Sequence, residues 1–446
     1  MKSGILRMDL KGNKVMSRQV AVIGGGAAGM MAAIQAAGAG VAVTIYEKND
    51  RVGKKILSTG NGRCNFSNEA MGAEFYHGSG TVLLGNALSA FGVAQTKAFF
   101  SSLGMRIRER DGYLYPATDQ ASTVLDLLRY ELDRRRVTVH TGEAVQAISF
   151  DQDRKKFFIQ CHGTEGIYDA AVLCCGGKAA PNTGSDGDGF RLAKRFGHRI
   201  VRPVPALAAL CCKESFYKQV AGVRCDAALT LRIAGRTVCR ERGELQLTDY
   251  GLSGIPAFQI CRTAAYALLE KKPVMVCVSF LPDFDEMSCA SFFSERLSGH
   301  GEDEMELFLT GIVNKKISRL LLKLSGIRET QRAKDVSAEA FHRLQALYLG
   351  LETVVTGTNG FDRAQVCAGG VDCGEVTEHL MSKKQTGLFF AGEILDIDGL
   401  CGGYNLQWAW SSGAVAGRVA AGDKAFASVR MQNRESGKTA APKQRA

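Results

Sequence analysis

The stretch QVAVIGGGAAGMMAAIQAAGAGVAVTIYE, residues 19–47, decides the fold. Its first five residues have the length and apolarity of a buried strand, and GGGAAG follows at once. Residues 30–39 are small and apolar enough for a helix lying close on a sheet, and 41–46 reads as a second strand ending at Glu47. Strand, glycine turn, helix, strand, acid is the order a dinucleotide requires. Gly24 permits the tight turn, Gly26 lets backbone approach a pyrophosphate, and Gly29 lets the helix pack on the strand. The free N–H groups of the helix start, at Ala27 and Ala28, face the anion. Glu47 comes 18 residues after Gly29, where the fingerprint places a ribose-binding acid, and its charge disfavours a 2′-phosphate there. Lys48 completes this part of the expected binding set.

The rest of the chain bounds what surrounds that unit. At 446 residues, 46% hydrophobic and 23% charged, it has an ordinary globular composition and the length for two or three cores. The formal charge of +11 sits mostly at the ends: residues 1–18 and 426–446 contribute +4 each, leaving +3 between them. A body that close to neutral predicts no nucleic-acid surface, and the two ends read as flexible basic tails. The fourteen cysteines are scattered, include the neighbours Cys174/Cys175 and Cys211/Cys212, and show no CxxC pair. That pattern predicts a reduced, cytoplasmic protein with neither a redox disulfide nor a zinc site. The acidic run Glu302, Asp303, Glu304, Glu306 reads as a solvated helix start, so no metal site is expected. The apolar stretch 20–46 is broken by six glycines and Gln35, and no other run reaches spanning length, so no membrane insertion is expected.

An NAD enzyme would show only the opening unit, whereas FAD must also be gripped at its ribityl chain and flavin ring. A second glycine-rich junction near the C-terminus meets that need. Residues 387–390 read as a strand leading to Ala391, Gly392 and Glu393, and Gly402, Gly403, Tyr404, Asn405, Leu406, Gln407 then open a helix running through Val419. Glu393 suits a ribityl hydroxyl, and the helix start aims N–H groups and its positive dipole end at the flavin's pyrimidine side.

Together these segments resemble the YhiN/BaiN-like FAD-dependent oxidoreductases, which have the glutathione-reductase-type flavoprotein fold. The resemblance runs over nearly the whole chain, on VIGGGAAGMMAA (22–33), STGNGRCNFSN (58–68), TGSDGDGFRLAKRFGH (183–198), GELQLTDYGLSG (243–254) and AGEILDIDGLCGGYNLQWAWSSG (391–413). It implies that Gly60, Asn61, Gly62, Arg63, Cys64 and Asn65 line the flavin. It further implies that Val145 meets the adenine through its backbone, and that Cys175, Gly176 and Gly177 end a strand beneath the cofactor. With Gly392, Glu393, Gly403, Asn405 and Leu406 these complete the expected FAD site. Glu393 departs from the aspartate usual in the wider superfamily, and its longer side chain still reaches a ribityl hydroxyl.

The expected fold class is α/β: a Rossmann-type FAD-binding domain, residues 19–202 and 357–425, split by an inserted mixed β/α substrate domain, 203–356. Within the insert, residues 227–233 and 244–248 read as antiparallel strands around Ala234 and Gly235. Ile317, Leu320, Leu321 and Leu324 recur at helical spacing before Ser325 and Gly326.

With FAD bound, the expected chemistry is hydride or electron transfer, and the protein's tasks are placement, polarity and exclusion of water. Arg63, Cys64, Asn65, Cys401 and Tyr404 are the candidates beside the flavin for moving a proton, with Cys64, Cys401 and Tyr404 foremost. None of the seven histidines stands in a catalytic spacing. With one dinucleotide fingerprint, NAD(P)H is expected only as a transient electron donor. The resemblance implies a reductase or dehydrogenase of an unsaturated small molecule, some relatives being linked to bile-acid ring reduction. The alternatives are an amine oxidase using oxygen and an FAD protein associated with RNA. Nothing in the sequence sets an oligomeric state.

Overall fold

The computed structural model describes strands Leu6–Met8 and Lys14–Met16 and residues 18–423. Those two strands pair antiparallel, Leu6 opposite Met16, inside the extension expected to be flexible. The rest of 1–17, and the expected tail 426–446, lie outside the described residues.

Among the described residues, the nucleotide-type unit comprises those up to 177, 182–202 and 369–423. Its centre is a sheet of β1 (Gln19–Ile23), β2 (Ala42–Glu47), β3 (Thr138–Thr141), β4 (Ala170–Leu173) and β5 (Leu388–Phe390), ordered β5-β4-β1-β2-β3. Every pairing is parallel. β1 and β4 are apolar at nearly every position because both faces of a parallel sheet are covered, which removes the alternation of a half-exposed strand. The strand order reverses at β1, between β2 and β4, so the carboxyl ends of β1 and β4 open onto a crevice of the kind that takes ligands in such sheets.

Helix α1 (Ala27–Gly38) follows β1, and helix α2 (Tyr404–Ala420) follows the second glycine junction. Both are built from small residues, and they pack together so closely that a Cβ on Gly417 would collide with the Ala32 carbonyl. Trp408 and Trp410 of α2 are fully buried. Each indole N–H is satisfied by a carbonyl, as burial demands: Trp408 donates to Gly392 (3.1 Å) and Trp410 to Phe66 (2.9 Å).

The inserted unit comprises residues 178–181 and 203–368. Six strands close a barrel in the order Leu210–Cys212, Gly251–Gly254, Arg236–Leu247, Arg224–Ile233, Val274–Ser279, Leu351–Thr358. The hairpin expected around Ala234 and Gly235 pairs Ile233 with Arg236. The helix Lys315–Ser325 ends at Gly326 in the left-handed conformation (φ +77°) that a C-terminal glycine supplies. The return to the first unit, expected at residue 357, comes at 369. Gly357 lies within the last barrel strand, opposite Cys211, and the backbone bond from Ala180 to Phe361 keeps the following turn with the insert. Strand pairing across more than a hundred residues overrides the local glycine signal there.

In the acidic run, Glu302 is paired to Arg332 and Lys334, and Glu306 to Lys315 and Arg319. Among the described residues no cluster suits a metal ion, no helix is long and apolar enough to cross a membrane, and no disulfide joins any of the cysteines.

Candidate functional site

Gly24 has φ +100°, and a Cβ on it would lie 2.5 Å from the Cys174 carbonyl oxygen at the end of β4. A Cβ on Gly29 would collide with the Gly24 carbonyl, so α1 starts directly over β1 only because both positions are glycine. Nothing lies within 4 Å of where a Cβ on Gly26 would project, and no side chain caps the helix start at Ala27, Ala28 and Gly29. The turn is closed on its protein side and open on the other.

Glu47, buried at the end of β2, is held by three donors: the Gly25 N–H (2.8 Å), the Asn49 N–H (2.8 Å) and the Asn49 amide (2.7 Å). A carboxylate offers about four acceptor directions, so roughly one remains for a hydroxyl. Asn49 also donates to the Thr183 carbonyl (3.1 Å), and Lys48 pairs with Asp186 (2.5 Å). The Lys48 ammonium therefore holds the 183–188 loop beside the acid. Val145 follows a segment whose Gly142 and Glu143 N–H groups bond to the Asn49 and Glu47 carbonyls. This backbone, Glu47 and the 183–188 loop form one neighbourhood. Beneath it Cys175 contacts the Ile23 carbonyl, and a Cβ on Gly176 would collide with the Ser185 hydroxyl.

The second junction lies against the first. A Cβ on Gly392 would be 2.8 Å from the Ala28 Cβ, and the Gly392 N–H donates to Ser412 of α2 (2.9 Å). Glu393 pairs with Lys55 at 2.8 Å, both side chains being about three-quarters covered. Lys55 belongs to the 3-10 segment Lys54–Gly62 that runs into the loop expected to line the flavin.

That loop has an unusual backbone: Gly60, Asn61, Gly62 and Cys64 all have positive φ, between 54° and 83°. Asn65 holds it to α2. The Asn65 amide, oriented by its hydrogen-bonding partners, donates to the Ser67 and Leu114 carbonyls (2.7 and 3.1 Å) and accepts from the Gly403 N–H (3.3 Å). One turn further on, Gln407 is fully buried, accepts from Ser67 (2.6 Å) and donates to Thr96 and Ser411 (2.9 Å each). The Asn405 side chain turns inward, clasping the Gly399 N–H and carbonyl at 2.8 Å each, while Leu406 is half-buried and no side chain caps the start of α2.

The structure brings the two junctions and the 60–65 loop together, but it separates the proposed proton movers. Cys64 is completely buried, and burial pushes its thiol up to about 12, so it is a neutral thiol at ordinary pH. Burial also raises Cys401. The Tyr404 ring stacks on Phe75 (4.8 Å) and meets Tyr76 edge-on (5.9 Å), which makes it a wall. Arg63 is exposed. Sequence reasoning missed Lys55, Gln407, Trp408 and Trp410, and it missed Tyr113 and Tyr115. The last two alternate with buried residues on the strand Tyr113–Pro116, a period-2 signal that follows the Asp111–Gly112 turn.

A parallel sheet with an open glycine turn at its switch point and a buried acid ending the next strand defines a Rossmann-type nucleotide-binding enzyme. Residues 18–419 match the family described as HI0933-like protein Rossmann domain, and the chain belongs to that family, that of the YhiN/BaiN-like FAD-dependent oxidoreductases. It is 44% identical over 406 residues to the 3-dehydro-bile acid delta(4,6)-reductase of Clostridium scindens, covering 90% of this chain and 99% of that protein. It is 28% identical over 396 residues to the ribosomal RNA dihydrouridine synthase of Escherichia coli, and 26% over 397 residues to that of Haemophilus influenzae. Each of those matches covers 88% of this chain and 95% of the relative.

Proposed function

We propose that the protein reduces a carbon–carbon double bond conjugated to a carbonyl in a small polycyclic molecule, drawing electrons from NAD(P)H through FAD. The observation that carries this is the 44% identity to the Clostridium scindens reductase, spread over 90% of the chain. Fourteen cysteines with no disulfide among them fit a reducing compartment, the cytoplasm.

The cradle fits FAD on its own features. Free N–H groups at Ala27, Ala28 and Gly29 meet an open side at Gly26, as a pyrophosphate needs. Glu47 keeps an acceptor direction for a ribose hydroxyl, with Val145 and the 183–188 loop beside it for the adenine end. Glu393, with Lys55 fixing its carboxylate, suits the ribityl chain. The uncapped start of α2 at Tyr404, Asn405 and Leu406 suits the electron-rich pyrimidine edge, and its dipole favours negative charge there. Bound FAD supplies two-electron transfer to and from carbon. The chain binds, orients and keeps water from the reacting face.

Incubating the FAD-loaded protein with NADH or NADPH and 3-oxochol-4-en-24-oic acid tests the reading. A product two mass units heavier is expected. Oxidation of a pyridine nucleotide only by oxygen, with the acid untouched, would reject it. A second reading rests on the two RNA-modifying relatives: the uracil C5=C6 bond is also conjugated to a carbonyl, so the same flavin site serves either substrate. The +3 charge of residues 19–425 favours the small molecule, because RNA binding draws on clustered cations.

A further inference from the structure

Building on the proposed enone reduction, we infer that Tyr115 is the group that delivers the proton to the substrate's α-carbon, with Arg63, on the loop fastened to the same strand, holding the carbonyl. The strand Tyr113–Pro116 alternates, so Leu114 is fully buried while Tyr113 and Tyr115 share the other, half-exposed face. Leu114 fastens this strand to the flavin loop: its carbonyl accepts from the Phe66 N–H (2.9 Å) and from the Asn65 amide (3.1 Å). Tyr113 fastens it to the second junction. A Cβ on Gly402 would lie 2.8 Å from the Tyr113 ring, and Asn68, opposite Tyr113 in register, donates to the Gly402 carbonyl (3.0 Å).

Tyr115 therefore stands on a rigid strand between the two segments expected to frame the flavin ring. Both reach it electrically. Burial raises its phenol, with Tyr113 and Cys401 adding to the rise and Arg110 and Arg63 opposing it. The phenol is protonated at working pH, and two cations stabilise the phenolate left after transfer. Among the described residues neither Arg63 nor Arg110 makes an ion pair, so both charges are available to a substrate oxygen. The other acids nearby serve less well, because Cys64 is sealed in the core and Tyr404 is packed between rings.

The β-carbon takes a hydride equivalent from the reduced flavin, and the π electrons move onto the carbonyl oxygen as an enolate facing Arg63. The α-carbon then takes the Tyr115 proton, and the phenolate regains a proton from water.

The test separates the two half-reactions of the FAD-loaded protein without oxygen. Tyr115→Phe is expected to keep flavin reduction by NAD(P)H within about twofold and to slow re-oxidation by 3-oxochol-4-en-24-oic acid by about 100-fold or more. In D2O the wild type is expected to place deuterium on the α-carbon in one configuration. Tyr115→Phe gives both, while Tyr113→Phe keeps one. Arg63→Met is expected to weaken binding of the acid to the oxidised protein, read from the flavin absorbance, while Tyr115→Phe leaves it within a few-fold. Tyr115→Phe re-oxidised at the wild-type rate with a single configuration overturns the role of Tyr115. Wild-type protein that is reduced but never re-oxidised by the acid overturns the enone reading itself, a failure visible before any variant is made.

Discussion

The two glycine junctions of the nucleotide-type unit do similar work by different means. The first, from Gly24 to Gly29, is shaped by backbone alone: glycines permit close approach, and one carboxylate, Glu47, braces the turn through the Gly25 N–H. The second, from Ala391 to Gln407, is held by side chains that come from far away in sequence. Asn65, Ser67 and Thr96 meet α2, Lys55 meets Glu393, and Trp408 reaches back to the Gly392 carbonyl. A pyrophosphate needs only N–H groups in a fixed turn, whereas a flavin ring needs several surfaces set at once. The second junction is therefore the more cooperative of the two and the more exposed to damage at a distance.

The largest effect expected is at the first junction. Gly29→Val drives a branched side chain into the Gly24 carbonyl, and a loss of more than about 4 kcal/mol is expected. Flavin retention and the far-ultraviolet circular dichroism should fall together. At the second junction, Gln407→Leu leaves the Ser67 hydroxyl and its neighbours without partners in a sealed site. That costs about 3 kcal/mol and should appear as a lower urea midpoint at unchanged slope. Trp408→Phe removes a single hydrogen bond, worth about 1 kcal/mol, and should weaken FAD binding more than it lowers the midpoint. A midpoint shift for Trp408→Phe as large as that for Gln407→Leu would erase the contrast between junction and network.

Acid should loosen the second junction first. His198 is buried edge-on against Phe390 (4.8 Å), the last residue of β5, with Nε2 at 2.7 Å from Ser382 and Nδ1 at 3.1 Å from Glu375. Burial depresses its pKa below the ordinary 6.5, with Glu375 opposing and Lys384 assisting. The unfolded chain then takes up the proton first, so this contribution is intact above about pH 6.5 and is lost as the pH falls through the folded-state value. Hydrogen exchange at 388–393 should accelerate between pH 7 and 5 while that of β1 stays unchanged, and His198→Asn should flatten the trend. The smallest effect belongs to Lys55→Met. An ion pair still about a quarter open to solvent contributes on the order of 1 kcal/mol or less, so stability should barely move while FAD affinity falls a few-fold by flavin fluorescence titration.

The contrast also explains what could be read from the chain. The first junction was legible because its logic is local: β1, the turn, α1, β2 and Glu47 occur within 29 residues, and each glycine has a stated geometric reason. The end of α2 and the barrel hairpin at Ala234 and Gly235 were legible for the same reason. The return from the insert comes twelve residues later than its local signal suggests, because Gly357 resembles a turn locally but is paired to Cys211 in the barrel. Gln407 resembled any polar residue near a helix start, since its partners Ser67 and Thr96 lie more than 300 residues away. Tyr115 carries no local signal, because its meaning depends on which loops its strand joins.

The central claim is that both junctions hold one FAD, and a crystal structure of the protein with FAD tests it most directly. The pyrophosphate is expected within hydrogen-bonding distance of the Ala27, Ala28 and Gly29 N–H groups, with the pyrimidine edge of the same molecule at the start of α2. A flavin ring that leaves the first junction without approaching Tyr404, Asn405 and Leu406 would contradict it.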